Sequence, residues 1–239
     1  MAGLLKVGDK IELSRKNVRE NTKEEDSSAY VSQVLDLRDD DTIVAAMPIS
    51  EGHIVPIEVG ARLEAYFYTS QGIYRSLCVI TERGKEGNVY YCGLELVGKF
   101  EKFQRREYYR LPCIIGADII PINGEEVIDY SKEHKIPDKS YDDKKPGTIV
   151  DISGGGVRIM SDIRFNKNDY IFLRFPLEMN IGIKEVELMG MVILSLESPN
   201  RSNYYDSRIE FMEVTSEQRD NIVKYIFEQQ RKIQKRERG

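Results

Sequence analysis

The chain has 239 residues, 41% hydrophobic and 31% charged, with 8 Pro and 18 Gly; this is the composition of a globular chain with a core, and it excludes disorder, collagen-like repeats and small disulfide scaffolds. A net charge of -5 argues against grip on nucleic acid or anionic membrane through a broad cationic field, so an anionic partner has to be met by a local cluster. The three cysteines, Cys78, Cys92 and Cys113, form no C-x-x-C, His53 and His134 stand apart, and no run approaches the roughly 18 apolar residues of a spanning helix.

The parts of a zinc site, a redox dithiol and a His-dependent triad are therefore missing. The N-terminal MAGLLKVGDKIEL turns polar after a few residues, and a reducing, cytoplasmic setting without membrane insertion is expected. In chain order, short strands are expected at 4–13, 29–36, 42–46, 62–69, 73–81 and 88–96. Turn signals fall between them at Asp39-Asp40-Asp41, Gly52 and Gly84-Lys85-Glu86-Gly87. With no helical crossover between the strands, an antiparallel barrel or sandwich is favoured over a parallel sheet. Residues 1–97 are read as a first domain.

Alternation stops at VGKFEKFQRREYYR, where Lys, Arg and aromatics crowd together before Pro112, and residues 98–110 are read as an interdomain linker. Strands resume at 111–120, 148–152, 157–160, 170–176, 186–196 and 204–211. Residues 121–147, rich in Lys, Asp, Glu and Pro, are expected to form a mobile insertion or a surface hairpin. Thr215 and Gln218 have capping-box spacing and open a helix over about 216–235, with Ile222, Val223, Ile226 and Phe227 on one face and Ile233 further along. That face is expected to dock on the second barrel. The expected fold is mainly β: two small antiparallel β-barrels, the second at 111–239, joined by an Arg-rich linker, with a C-terminal α-helix.

Two clusters carry the chemistry: Gln104-Arg105-Arg106-Glu107-Tyr108-Tyr109-Arg110 and Asp151-Ile152-Ser153-Gly154-Gly155-Gly156. Alternation puts Val150 and Ile152 on one strand face and Asp151 and Ser153 on the other. The glycine run would turn with positive φ and leave room for a flat ligand against the backbone. Arg pairs bidentately with guanine O6 and N7 or with phosphate oxygens, and an Asp beside it can accept from guanine N1 and N2. Alone, the basic cluster reads as a solvated junction and the glycines as a hairpin turn. Together they describe a site for a guanine nucleotide carrying phosphodiesters.

Arg106 to Arg110 resembles the R-x-x-x-R motif of PilZ domains, and DISGGG resembles their D/N-x-S-x-x-G motif, in the same order. Upstream, GDKIEL, YVSQVLDL, MPISEG and QRREYYR resemble the N-terminal domain of YcgR-type flagellar brake proteins. The resemblance implies an N-terminal YcgR-like barrel, a C-terminal PilZ barrel and cyclic di-GMP as ligand. Arg106 and Arg110 would contact guanine edges and phosphates, Asp151 and Ser153 would hydrogen-bond base or phosphate, and Gly156 would keep the surface open. Arg105 would stack on a second base, giving two ligands per chain; Arg158 and Arg208 are further candidate contacts.

No nucleophile, base and orienter form a set, so binding rather than catalysis is expected, with no metal and no nucleic acid polymer as partner. The linker is a two-state element whose ordering should change the relative orientation of the barrels. The resemblance implies docking on stator or rotor proteins of the flagellar motor, slowed motility and recruitment of a cytoplasmic protein to the basal body. Control of exopolysaccharide synthesis or secretion is an alternative output. A β-barrel RNA-binding protein that stacks bases on the aromatic linker is disfavoured by the acidic balance and by Asp151.

Overall fold

The structure, a computed structural model, describes residues 3–15, 29–38, 41–50, 53–133 and 144–238. Asp39, Asp40, Gly52 and His134 lie outside them. The chain divides into two units, Met1–Arg105 and Arg106–Gly239.

In the first unit, β1 (Lys10–Arg15), β2 (Tyr30–Leu37), β3 (Thr42–Ala46), β6 (Arg62–Thr69), β7 (Gly72–Glu86) and β8 (Val89–Leu96) pair in the order β6-β1-β2-β3-β8-β7. Pairing of β6 with β7 closes this ring into a six-strand antiparallel barrel. Closure removes the free edges through which an open sheet would pair with other chains. Alternation sends Ile11 and Leu13, Leu63, Ala65 and Phe67, Cys78 and Ile80, and Cys92 and Leu94 inward, all buried. Two short additions were not expected: a hairpin of β4 (Ile49–Ser50) with β5 (His53–Ile54), and β9 (Glu101–Lys102), which pairs with β7.

The expected turn at Gly84-Lys85-Glu86-Gly87 is narrower. β7 runs on to Glu86, and Gly87 alone in this stretch takes a positive φ, +58°. Gly84 is strand because Tyr91 opposite it lays its ring where a side chain would be; a Cβ there would fall 2.3 Å from that ring.

In the second unit, β10 (Leu111–Pro121), β11 (Lys145–Ser153), β12 (Gly156–Ser161), β13 (Tyr170–Met179), β14 (Gly182–Glu197) and β15 (Tyr205–Met212) close in the order β10-β11-β12-β15-β14-β13. The interior holds Leu111, Ile119, Ile149, Ile152, Ile159, Leu173, Phe175, Leu188 and Val192. α2 (Ser216–Arg238) follows. Its capping box forms: Gln218 N donates to Thr215 Oγ1 at 3.2 Å and Thr215 N donates to Gln218 Oε1 at 2.9 Å. Ile222, Tyr225 and Ile226 dock on the barrel core, whereas Phe227 and Ile233 of the expected apolar face are exposed. Thr215→Ala is expected to lower stability by about 1 kcal/mol, read as a shift of the urea midpoint; no shift would show that Gln218, which also donates to the Glu187 carbonyl, carries this end alone.

The segment expected as a mobile insertion or hairpin instead holds a helix, α1 (Gly124–Glu133). Asn123 caps it reciprocally: Glu126 N donates to Asn123 Oδ1 at 3.0 Å and Asn123 N to Glu126 Oε2 at 2.7 Å. Tyr130 of α1 packs edge-on against Phe172 at 5.7 Å, in a small cluster with Ile120 and Met189 on the barrel's outer side. Their neighbours Ile119, Leu173 and Leu188 point inward. Doubled apolar pairs such as Ile119-Ile120 and Phe172-Leu173 thus mark where the wall is covered on both faces.

Candidate functional site

The DISGGG segment ends β11 and crosses to β12. A register shift between Ile149 and Asp151 leaves Val150 as an extra residue, so Ile149 and Ile152 are buried at 0% exposure and Val150 is not in the core. This corrects the simple alternation, because a bulge resets the pleat. Past it, Asp151 lies opposite Arg158 on β12, and Arg158 opposite Arg208 on β15. Opposed residues point to the same face, so Asp151, Arg158 and Arg208 form one row across three strands. Pro112 continues the row on β10.

Charge along the row is partly compensated. Arg158 Nε stands 2.9 Å from Asp151 Oδ2 and its Nη1 3.5 Å from Asp206 Oδ2, while Arg208 is exposed. Asp206 therefore belongs to the cluster, although sequence reasoning did not single it out. Its signal was positional, two residues before Arg208 on the same face of one strand. Such half-exposed pairs contribute about 1 kcal/mol or less, so a ligand can exchange for them. Ser153 is buried, and its hydroxyl donates to the Gly156 carbonyl at 3.1 Å, closing the turn.

None of Gly154, Gly155 and Gly156 has positive φ, contrary to the expectation from their run. Close approach is what requires them. A Cβ on Gly154 would fall 2.5 Å from the Tyr108 ring, on Gly155 3.2 Å from it, and on Gly156 2.3 Å from the Ile209 carbonyl oxygen. The Tyr108 ring thus occupies the space beside the glycines, and its hydroxyl accepts a hydrogen bond from Arg219 of α2. Tyr108, two residues after Arg106 and two before Arg110, thus packs the arginine segment on the barrel; Arg219 was not among the expected site residues.

This anchoring sets the place of the arginine segment. Arg106 and Arg110 flank Tyr108 and are exposed. Leu111, buried, pairs with Ile152, so Arg110 enters β10 at the end of β11 that carries Ser153 and the glycine turn. Arg105 falls in the first unit, where its Nη1 donates to Glu12 Oε2 at 2.9 Å and to the Tyr68 hydroxyl oxygen at 2.8 Å. Tyr109 is exposed and does not pack on the barrel as Tyr108 does.

Burial pushes the thiols of Cys78 up to about 12 and of Cys92 and Cys113 to about 11. All three stay protonated near neutral pH and behave as small apolar residues. Among the described residues, no helix is long and apolar enough to cross a membrane and no group of His, Cys, Asp and Glu could hold a metal.

Residues 6–95 match the family described as flagellar protein YcgR, and residues 104–228 match the PilZ domain. The inhibitor of motility MotI/DgrA from Bacillus subtilis shares the fold with a TM-score of 0.73 at 17% identity, over 95% of this chain and 98% of that one. YcgR from Escherichia coli in complex with c-di-GMP aligns at a TM-score of 0.47 and 12% identity, over 96% of this chain and 87% of that one. A search of the curated proteins gives no match. The chain belongs to the PilZ family, with a YcgR-type N-terminal domain.

Proposed function

We propose that this PilZ-family chain is a cytoplasmic, non-catalytic receptor for cyclic di-GMP whose linker, residues 98–110, folds over the nucleotide. The observation that carries this reading is the convergence of two sequence-distant motifs. Tyr108 seats the Arg106 to Arg110 segment on Gly154 and Gly155, and the row of Asp151, Arg158 and Arg208 begins on the strand that leads into that turn. Arginine forks suit guanine edges and phosphate oxygens. Asp151 supplies the acceptor that the guanine N1 and N2 donors need, and exchanging Arg158 for the base costs little. In this reading Arg106, Arg110, Asp151, Arg158 and Arg208 touch the ligand, Ser153 and Gly156 hold the turn, and Arg105 stacks on a second nucleotide.

Ordering of the linker would change the orientation of the two barrels. The exposed surface so created would dock on stator or rotor proteins of the flagellar motor and slow motility. The fold shared with the Bacillus subtilis inhibitor of motility supports this output over polysaccharide synthesis or secretion.

Calorimetry of the full chain with cyclic di-GMP, against GMP as control, tests the ligand. Selective binding with two nucleotides per chain is expected, and one per chain would reject the role given to Arg105. A pull-down with and without nucleotide tests the output. Nucleotide-dependent recovery of motor proteins is expected, and recovery of polysaccharide synthase components would overturn the motility reading.

A further inference from the structure

In the arginine segment Tyr108 alone is half-buried, whereas Arg106, Glu107, Tyr109 and Arg110 are exposed. Its ring lies over Gly154 and Gly155, where added Cβ atoms would fall 2.5 Å and 3.2 Å from it. Its hydroxyl accepts a hydrogen bond from Nη1 of Arg219. Arg219 stands in the first turn of α2, where its backbone N donates to the Thr215 carbonyl at 3.0 Å. That turn is itself tied down: the box of Thr215 and Gln218 closes it, and Gln218 Nε2 donates to the Glu187 carbonyl of β14 at 2.6 Å. An arginine carried by so constrained a turn is a fixed donor. Tyr108 is therefore seated twice, on bare backbone at the glycines and on a helix at its hydroxyl. All of these residues belong to the second unit.

We propose that Tyr108 and Arg219 are positioning residues for the nucleotide: α2 holds the arginine segment on the barrel before a ligand arrives, and the affinity for cyclic di-GMP depends on that hold. This rests on the cyclic di-GMP reading and deepens it by naming what sets the strength of the site. Arg106 and Arg110 each lie two residues from the seat, so a seated ring fixes the backbone from which both side chains reach. Without the seat the segment would be ordered only on binding, and the ligand contacts would have to offset that lost chain entropy. Apparent affinity then falls with the fraction of chains in which the segment is in place. Neither residue is given a ligand contact; each acts through the arginines.

Two measurements on the full chain test this. Arginine side-chain ¹⁵N NMR without nucleotide, with Arg219 assigned from Arg219→Lys, should show a restrained Arg219 guanidinium that becomes freely rotating in Tyr108→Phe. Calorimetry should show cyclic di-GMP binding about tenfold weaker in Tyr108→Ala. In Tyr108→Phe and Arg219→Ala the ring keeps its place on the glycines and only the hydroxyl bond is lost, so binding should weaken about threefold. These two variants remove no ring and carry the test should Tyr108→Ala fail to fold. Gly154→Ala should also weaken binding, by displacing the ring, and adding it to Tyr108→Ala should bring no further loss. Wild-type affinity in Tyr108→Phe and Arg219→Ala overturns the proposal, as does an Arg219 signal unmoved by Tyr108→Phe. Tighter binding in Tyr108→Ala overturns it too, since the ring would then stand in the ligand's way. So do losses that add in the double variant, which would mean that the Gly154 methyl meets the ligand and not the ring. Failure of the wild type to bind cyclic di-GMP while the NMR change is present overturns the ligand reading and the proposal with it.

Discussion

Calorimetry of the Arg110→Ala chain is expected to show cyclic di-GMP binding about tenfold to a hundredfold weaker than wild type, and Arg106→Ala the same. Each bidentate arginine contact to guanine is worth about 1–3 kcal/mol, and every 1.4 kcal/mol is about tenfold in affinity. Both side chains are exposed, so truncating them removes no core and leaves the fold intact. The urea midpoint of either variant should therefore stay at the wild-type value while affinity falls. Arg110→Lys should recover only part of the loss, because an ammonium keeps the charge and loses the fork. Undiminished binding in both alanine variants would sink the assignment of the linker as the nucleotide clamp. A loss shared equally by Arg110→Lys and Arg110→Ala would place the contact on a guanine edge rather than on a phosphate.

The second large effect is on the scaffold. Gly156→Ala is expected to destabilise the second barrel by about 1–3 kcal/mol or more, as overpacking does. The new methyl would fall 2.3 Å from the Ile209 carbonyl oxygen and 3.3 Å from Glu210 Cα, both backbone atoms of β15 that cannot step aside. β12 and β15 are neighbours in a closed ring, so parting them strains the ladder on both sides. Gly155→Ala is the control. Its methyl would meet only the Tyr108 ring, at 3.2 Å, and a ring can shift by a few tenths of an ångström. Urea unfolding should then separate the two, with a large shift for Gly156→Ala and a small one for Gly155→Ala. A wild-type midpoint in Gly156→Ala, together with lost nucleotide binding, would instead return Gly156 to the role of keeping a surface open for ligand.

Much of this molecule was legible in its residues. Arg62–Thr69 reads directly from alternating apolar residues, because a wall with one wet face imposes a period of two. Thr215 and Gln218 announced α2, because a helix start needs partners for its first backbone donors. The same rule applied to Asn123 and Glu126 would have found α1, hidden by a segment rich in charge and proline. Val150 was misread because a bulge depends on the partner strand's hydrogen bonds. The order of the Arg, Asp and Gly motifs was legible in the sequence, whereas their geometry was not.

What the sequence determined by itself was composition, period and motif order: two β-rich domains, a basic segment ahead of the strands of the second, a capped helix at the end, and the arginine and DISGGG motifs. These are local properties, set by each residue's own chemistry and its spacing from near neighbours. Tertiary structure alone decided that Tyr108 fills the space beside Gly154, that Arg158 is already paired with Asp151, and that Arg105 is held by Glu12 and Tyr68. Those contacts join residues far apart in the chain, and only closure of each barrel, which sets which strands are neighbours and in what register, brings them within reach.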